Sequence, residues 1–302
     1  MAAAIGARGK LGIGTSSPTT YMLDFKSEGL ARRQESVNGN GVRGTRSHHA
    51  TRVRAGLNRI GGSLALQPNA ADLHQLFPWM LCGTTTTPSG TLKLYKLGEA
   101  AASRYVQVDR HAKVFTYATV GVDKWTLKAE QGQLLDCDLD LIAATETVGN
   151  AGTFPSLAVD VTTNPFILSD LALTVGGTTV TAKSFEVACS NAIDADRFFN
   201  SNDLSAIVMH DREVTFKTRL PYGDFTALYD LGAATGVEVV ATLTNGAVVL
   251  TLTLPAVVFP PQSPVVPGRE EVMLDLEGRA YRTGALSDDT GLEFQAALDT
   301  GA

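Results

Sequence analysis

The side chains able to do chemistry are few and badly placed for it. Five histidines stand at 48, 49, 74, 111 and 210, and none has the spacing of a zinc site. The pair His48-His49 could hold a metal only with ligands supplied from elsewhere. His210-Asp211 imitates part of a catalytic pair, but adjacent side chains on an extended chain point to opposite faces. Asp136, Asp138 and Asp140 alternate with Cys137, Leu139 and Leu141. That puts three carboxylates on one side of a strand, able to meet a cation or to form the wet face of a half-buried sheet. Cys82, Cys137 and Cys189 are odd in number and lack Cys-x-x-Cys spacing, so they read as small core residues in a reducing compartment. The pairs Gly12/Gly14 and Gly39/Gly41 neither follow a strand nor open a helix, and no Gly-x-Ser-x-Gly elbow is present. Trp79 and Trp125 read as core anchors. No enzyme, cofactor or metal is expected.

Charge is more informative. Residues 1–150 carry 17 Lys+Arg against 12 Asp+Glu, whereas residues 151–302 carry 8 against 19. The ends are sharper, with 10 basic and 3 acidic residues in 1–60 but 3 and 8 in 261–302. Opposite charge on the two ends of a chain suits head-to-tail contact between copies. The candidate contact residues are Arg32, Arg33, Arg43, Arg46, Arg52 and Arg54 on one side. Glu270, Glu271, Asp288 and Asp289 stand on the other. The arginines lack the interleaved aromatics of a nucleic-acid reader.

The elements that must position these charges are mostly strands. With 44% hydrophobic and 19% charged residues, the chain has the composition of a globular protein. No run approaches the roughly 18 apolar residues of a membrane helix, and the basic start is not followed by a signal-peptide core; synthesis and assembly in a cytoplasm are expected. Residues 1–45 read as a polar arm, mobile or docked on a neighbour. Period-two alternation then marks strands at 51–55, 62–67, 92–97 and 105–108, and a hairpin about Gln131-Gly132. Pro68-Asn69 opens a helix carrying Leu73, Leu76, Phe77 and Met80, which Pro78 should shorten or kink. Gly149–Pro155 is the best boundary between units. Beyond it come strands about Gly176-Gly177, a strand at 213–220 and a second helix signal from Pro221 to Leu231. A hairpin turns at Asn245-Gly246, and prolines should end it at Pro255. Gly62–Cys82 and Val214–Ala234 repeat the same order at an offset of 152, so the unit reads as duplicated. The expected division is an arm (1–45), two β-rich units (46–150 and 151–260) and a C-terminal extension (261–302).

The stretches Thr51-Arg-Val-Arg-Ala-Gly and Ile60 to Phe77, with Val122-Asp-Lys-Trp-Thr-Leu-Lys and Leu171-Ala-Leu-Thr-Val-Gly-Gly-Thr, resemble the tail tube (major tail) proteins of non-contractile long-tailed bacteriophages. The order of signals agrees over residues 45–275, a match of layout rather than of chemical motif. The resemblance implies a mainly β fold, an antiparallel β-sandwich or barrel in each unit with one short helix, plus extended arms. It implies subunits joined edge to edge into rings that stack as a tube, with arms reaching the next ring. Rings would be trimeric if the unit is duplicated and hexameric otherwise. Genomic DNA would pass an acidic wall that does not hold it, and the tape measure, tail terminator and distal tail proteins would be partners in the virion, without a membrane. The alternative is a glycan-binding or adhesin module. That would need clustered exposed aromatics, and only 7% of the chain is aromatic.

Overall fold

Wherever apolar and polar residues alternate, the chain forms strands. The computed structural model describes residues 6–39, 41, 44–83, 85–222, 236–260, 263–266, 268–284 and 293–300. The chain begins with Lys10–Gly14 (β1), Tyr21–Leu23 (β2), Ser27–Glu28 (β3), Ala31–Asn38 (β4) and Val53–Leu66 (β5). Helix α1 spans Ala70–Met80 and leads to Thr85–Ser89 (β6), Leu92–Lys96 (β7) and Arg104–Asp109 (β8). A long hairpin of Lys113–Glu130 (β9) and Asp136–Asn150 (β10) closes the first half. The second half holds Leu171–Val175 (β11), Thr178–Val180 (β12), Ser184–Ser190 (β13) and Glu213–Pro221 (β14). Val237–Asn245 (β15), Val248–Val258 (β16), Met273–Ala280 (β17) and Gln295–Asp299 (β18) complete it. All strand pairs are antiparallel.

Two ladders result. The main one runs β4–β5–β10–β9–β13–β14–β17. Its centre is β9, long enough to be shared: Val114–Val120 pairs with β8, Lys124–Glu130 pairs with β13, and β10 lies along the other edge. The second ladder runs β6–β7–β18–β16–β15–β11–β12. The buried sides of both ladders and α1 form one apolar core, in which Trp125 meets Phe294 at 5.5 Å between ring centroids. This is the sandwich architecture that two half-apolar sheets adopt to bury their inner faces.

Local rules explain the joints. Asn69 caps α1: its side chain accepts from Asp72 N at 2.9 Å, and Asp72 Oδ2 accepts from Asn69 N at 3.1 Å. The helix passes Pro78, which has no N–H to give to the preceding turn, and stops at Met80. Trp79 is fully buried and donates from Nε1 to Val120 O at 2.9 Å, tying the helix to β9. Gly132 (φ 76°) and Gly246 (φ 62°) occupy the left-handed positions that their hairpins require. The second helix signal, Pro221–Leu231, lies outside the described residues beyond Tyr222.

Three expectations change. Residues 10–30 of the supposed arm are seated on the chain's own body, because Leu11, Ile13, Leu23 and Leu30 supply enough apolar surface to be buried at 2% exposure or less. Among the described residues of this segment, β4 is the strand exposed along its whole length, as an arm would be. Pro255 does not end its hairpin; it lies inside β16, where pairing skips from Val239↔Leu254 to Val237↔Val257, a bulge that tolerates a residue without an N–H. The C-terminal stretch is woven in, with β18 inserted between β7 and β16 and Phe294, Ala296 and Leu298 fully buried.

Candidate assembly surfaces

On the outer side of the main ladder, pairing sets opposite charges face to face. One row reads Asp136–Lys128–Glu186–Lys217–Glu277, alternating in sign across five strands. Period-two geometry puts Asp138, Asp140, Glu130, Lys124, Glu213, Arg219, Asp275 and Arg279 on the same side. That gives eight carboxylates against five cations. Salt bridges join Lys128 to Asp138 (2.8 Å), Lys217 to Glu277 (3.0 Å), Arg219 to Asp275 (3.5 Å) and Arg279 to Glu213 (3.6 Å). The carboxylates hold the ammonium protons of Lys128 and Lys217 more tightly than usual, chiefly through those hydrogen bonds. Glu130, Asp140 and Glu186 form no salt bridge among the described residues, so the face keeps an acidic excess. The triple-aspartate strand is thus a solvated face, with Asp136 also held by Lys26 at 2.9 Å.

The hairpin β4–β5 leaves this sheet at one end. β13 and β14 end at the row Asp140–Lys124–Ser190–Glu213, level with Ser63, while β9 and β10 run on past it and β10 stays paired with β5 as far as Ile60. From Ile60, β5 continues to Val53 with β4 as its one partner among the described residues, roughly 23 Å of ribbon at about 3.3 Å per residue. The loop between β13 and β14, Asn191–Arg212, braces the ribbon. Asn58 donates through its backbone N to Asn202 O (2.7 Å) and through Nδ2 to Asp203 Oδ1 (2.6 Å). Arg59 pairs with Asp196 and Glu35, whose hydrogen bonds raise its pKa, and it lies over the Phe198 ring at 5.6 Å.

The candidate contact residues divide between the two ends of the sheet. Arg32, Arg33, Arg46, Arg52 and Arg54 lie on the ribbon or its tip, with Arg32 at 3.8 Å from Glu146. Glu270 and Glu271 lie at the other end, beside Met273 and Lys183, and Glu271 pairs with Lys183 at 3.1 Å. Arg43, Asp288 and Asp289 fall outside the described residues. His48 and His49 are exposed near the ribbon tip, and His210 bonds through its backbone N to Ala192 O. The three thiols are buried; burial pushes Cys189 up to about 12 and raises Cys82 and Cys137. Sequence reading missed the loop 191–212. Its signal was the aromatic pair Phe198-Phe199 within a run otherwise rich in Asp, Asn and Ser.

Two edges and one seam complete the picture. The outer edge of β4 has no strand partner among the described residues, nor has the outer edge of β17 from Met273 to Gly278. The seam lies inside the chain, where β9 of the first half and β13 of the second pair over seven rungs, Glu130↔Ser184 to Lys124↔Ser190. At the repeat's offset of 152, β4 falls on β13, and each begins a hairpin with the strand that follows.

The fold is thus an antiparallel β-sandwich with two strand edges open among the described residues, the architecture of proteins that can join copies edge to edge. The family model for phage tail tube proteins matches residues 6–280, and the chain belongs to that family. No curated protein matches it. The family makes this chain a structural component of a phage tail, built of stacked copies.

Proposed function

We propose that sister copies join edge to edge into rings and that the rings stack into the tube through which the genome is delivered to the host cell. The observation that carries the reading is the seam between β9 and β13. A second β-rich unit placed beside the first continues one sheet, and the same operation repeated between chains would continue it further. The open edges of β4 and β17 lie at opposite sides of that sheet, where such a repeat needs them. With two units per chain, three chains would close a pseudo-sixfold ring. The acidic excess of the outer sheet face suits a lumen, since a net negative wall repels phosphates and lets DNA slide. The tape measure, terminator and distal tail proteins would be its partners along and at the ends of the tube.

Electron microscopy of the purified chain, with class averages of end-on views, tests the proposal. Open rings of threefold or pseudo-sixfold symmetry and tubes built from them are expected. A chain that stays monomeric at high concentration, and also when tail components are added, refutes it.

A further inference from the structure

The loop Asn191–Arg212 is the second unit's shortened version of the ribbon. Ala31 pairs with Gly61 at the foot of the ribbon, and Ser190 pairs with Glu213, 152 residues after Gly61. From Ala31 the chain runs out along β4 and returns along β5. From Ser190 it runs out and back through the loop, whose legs meet at the Ile193–Met209 bridge and where Asp194 N donates to Val208 O at 2.9 Å. The brace between loop and ribbon is therefore a contact between corresponding parts of the two units, made inside one chain.

That contact has a defined chemistry. Asp196, six residues beyond Ser190, pairs with the guanidinium of Arg59, and Asp203 accepts from Asn58 at 2.6 Å. At the offset of 152, Arg59 corresponds to Asp211. Six residues beyond Ala31 stands Val37, whose cross-strand partner is Arg54. The signs are thus exchanged: the first unit offers an arginine to an aspartate, whereas the second offers an aspartate and the matching strand carries an arginine. The totals agree, since the loop holds four aspartates against two arginines and residues 31–60 hold seven arginines against one glutamate. Asp211 and Arg54 are both exposed, and neither forms a salt bridge among the described residues. Asp211 also lines a polar cavity of about 280 Å³ with Glu99 and Glu293, three carboxylates against the one guanidinium of Arg212. This cavity lies beside the end of β17, the open side of the sheet, where Arg282 reaches Glu99 at 3.9 Å.

We propose that the brace recurs between copies: the ribbon of one chain lies against the loop Asn191–Arg212 of its neighbour in the ring, with Arg54 paired to Asp211. The inference rests on the ring reading above and names a lateral polar contact for it. The partner is a second copy because the contact continues an interface the chain already contains, the seam of β9 with β13 and the brace above it. Ribbon and loop are different surfaces, so the contact is heterologous, and repeated by rotation it closes a ring.

Charge reversal in the full chain tests it, with Asp211→Arg, Arg54→Asp and the two together, each checked for wild-type thermal unfolding. Each single variant is expected to raise the concentration needed for rings by about tenfold, read by sedimentation and electron microscopy. The double variant is expected to return to within about threefold of wild type, because the pair is restored with its signs exchanged. Singles that form rings at the wild-type concentration, or a double no better than the worse single, overturn the inference and leave the ring reading standing. Rings that form normally and fail only to stack place Asp211 between rings and overturn it too. Should a reversal not fold, Asp211→Cys combined with Arg54→Cys takes its place, the native thiols being buried. Disulfide-linked species larger than dimers on a non-reducing gel then support the contact, and their absence from assembled rings overturns it. A wild-type chain that forms neither rings nor tubes overturns both readings.

Discussion

Replacing Asn191 by alanine should remove a bolt that joins the two halves. The side chain is 1% exposed, and Nδ2 donates to Val122 O at 2.9 Å and to Met80 O at 3.4 Å. The first acceptor is in β9 and the second ends α1, so one amide ties a strand and a helix of the first half to the loop that braces the ribbon. A net hydrogen bond contributes about 1 kcal/mol, and an acceptor left buried without a partner costs about 1–3 kcal/mol. The longer contact counts for less, which puts the loss at about 2–4 kcal/mol. Backbone bonds from Asn191 N to Asp123 O and from Ile193 N to Asp123 Oδ1, both 2.7 Å, hold the main chain in place. The site therefore does not collapse to rescue the carbonyls. Guanidinium unfolding of the purified chain, followed by the fluorescence of buried Trp79 and Trp125, reads the effect as a lower midpoint with an unchanged slope. Asn202→Ala, which gives up only a 3.5 Å contact from an exposed loop to Ala55 O, is the control and should cost less than about 0.5 kcal/mol. An Asn191→Ala chain within about 0.5 kcal/mol of wild type would refute the reasoning.

Other perturbations separate the parts of the fold. At Gly62 an added Cβ would stand 2.1 Å from Gly29 O and 2.4 Å from Gly29 C; since both are main-chain atoms, Gly62→Ala should destabilise by more than about 2 kcal/mol in thermal unfolding. Removing residues 1–45 takes away Leu11, Ile13, Leu23 and Leu30, at roughly 1.5–3 kcal/mol each; an insoluble or unfolded product is expected, and a folded, soluble one would return the segment to the status of an arm. Burial lowers the His74 pKa from 6.5 to about 4, with Lys93 adding to the shift, while its ring bonds the Tyr95 hydroxyl. The unfolded chain thus binds the extra proton first, so His74 contributes stability that is full above pH 6.5 and lost as pH falls towards 4. Asp72, raised by its own burial, acts in the opposite sense, so His74→Gln should flatten the acid side of the stability profile measured by unfolding midpoint. Changing Arg33, Arg46, Arg52 and Arg54 to Glu should impair tube formation seen by electron microscopy, with added salt acting in the same direction but more weakly; normal tubes would show that charge matching is irrelevant.

The elements legible in the sequence were those whose signal is local. The cap at Asn69, the Gly132 and Gly246 turns, and the alternation through Asp136–Leu141 each fix a short stretch whatever its surroundings. The long-range pairings were not legible, because an apolar face does not name its partner. Nothing in the alternation of β9 shows that its first half serves β8 and its second half β13. The N-terminal segment was misjudged for the same reason. Its few apolar residues are too sparse to fold alone, yet Leu11 and Ile13 need only the edge of β8 to become core. The contact surfaces were half legible: the basic and acidic ends stood out by count, whereas the brace at 191–212 depends on a distant ribbon that composition cannot reveal.

A chain meant to join by its edges must also avoid joining too early, since an open strand edge is a template for unspecific pairing. The two open edges meet that demand in different ways. The edge of β4 carries Arg32, Arg33 and Glu35 on a strand exposed throughout, so an approaching edge must match charges before it can pair. Near the edge of β17 runs a segment with Pro260 and Pro264, and Ser263, Pro264 and Val265 line one cavity together with Met273, Leu274 and Asp275. Residues without an N–H cannot extend the ladder from Val257↔Ala280 and Val258↔Arg279, and β16 leaves β17 at that point. The first half has no such interruption, and its counterpart stretch, Lys124–Glu130, accepts β13 at once. Under the ring reading, the seam inside the chain is made during folding, while the seam between chains waits for a strand with the right charges to come against a prolyl-guarded edge.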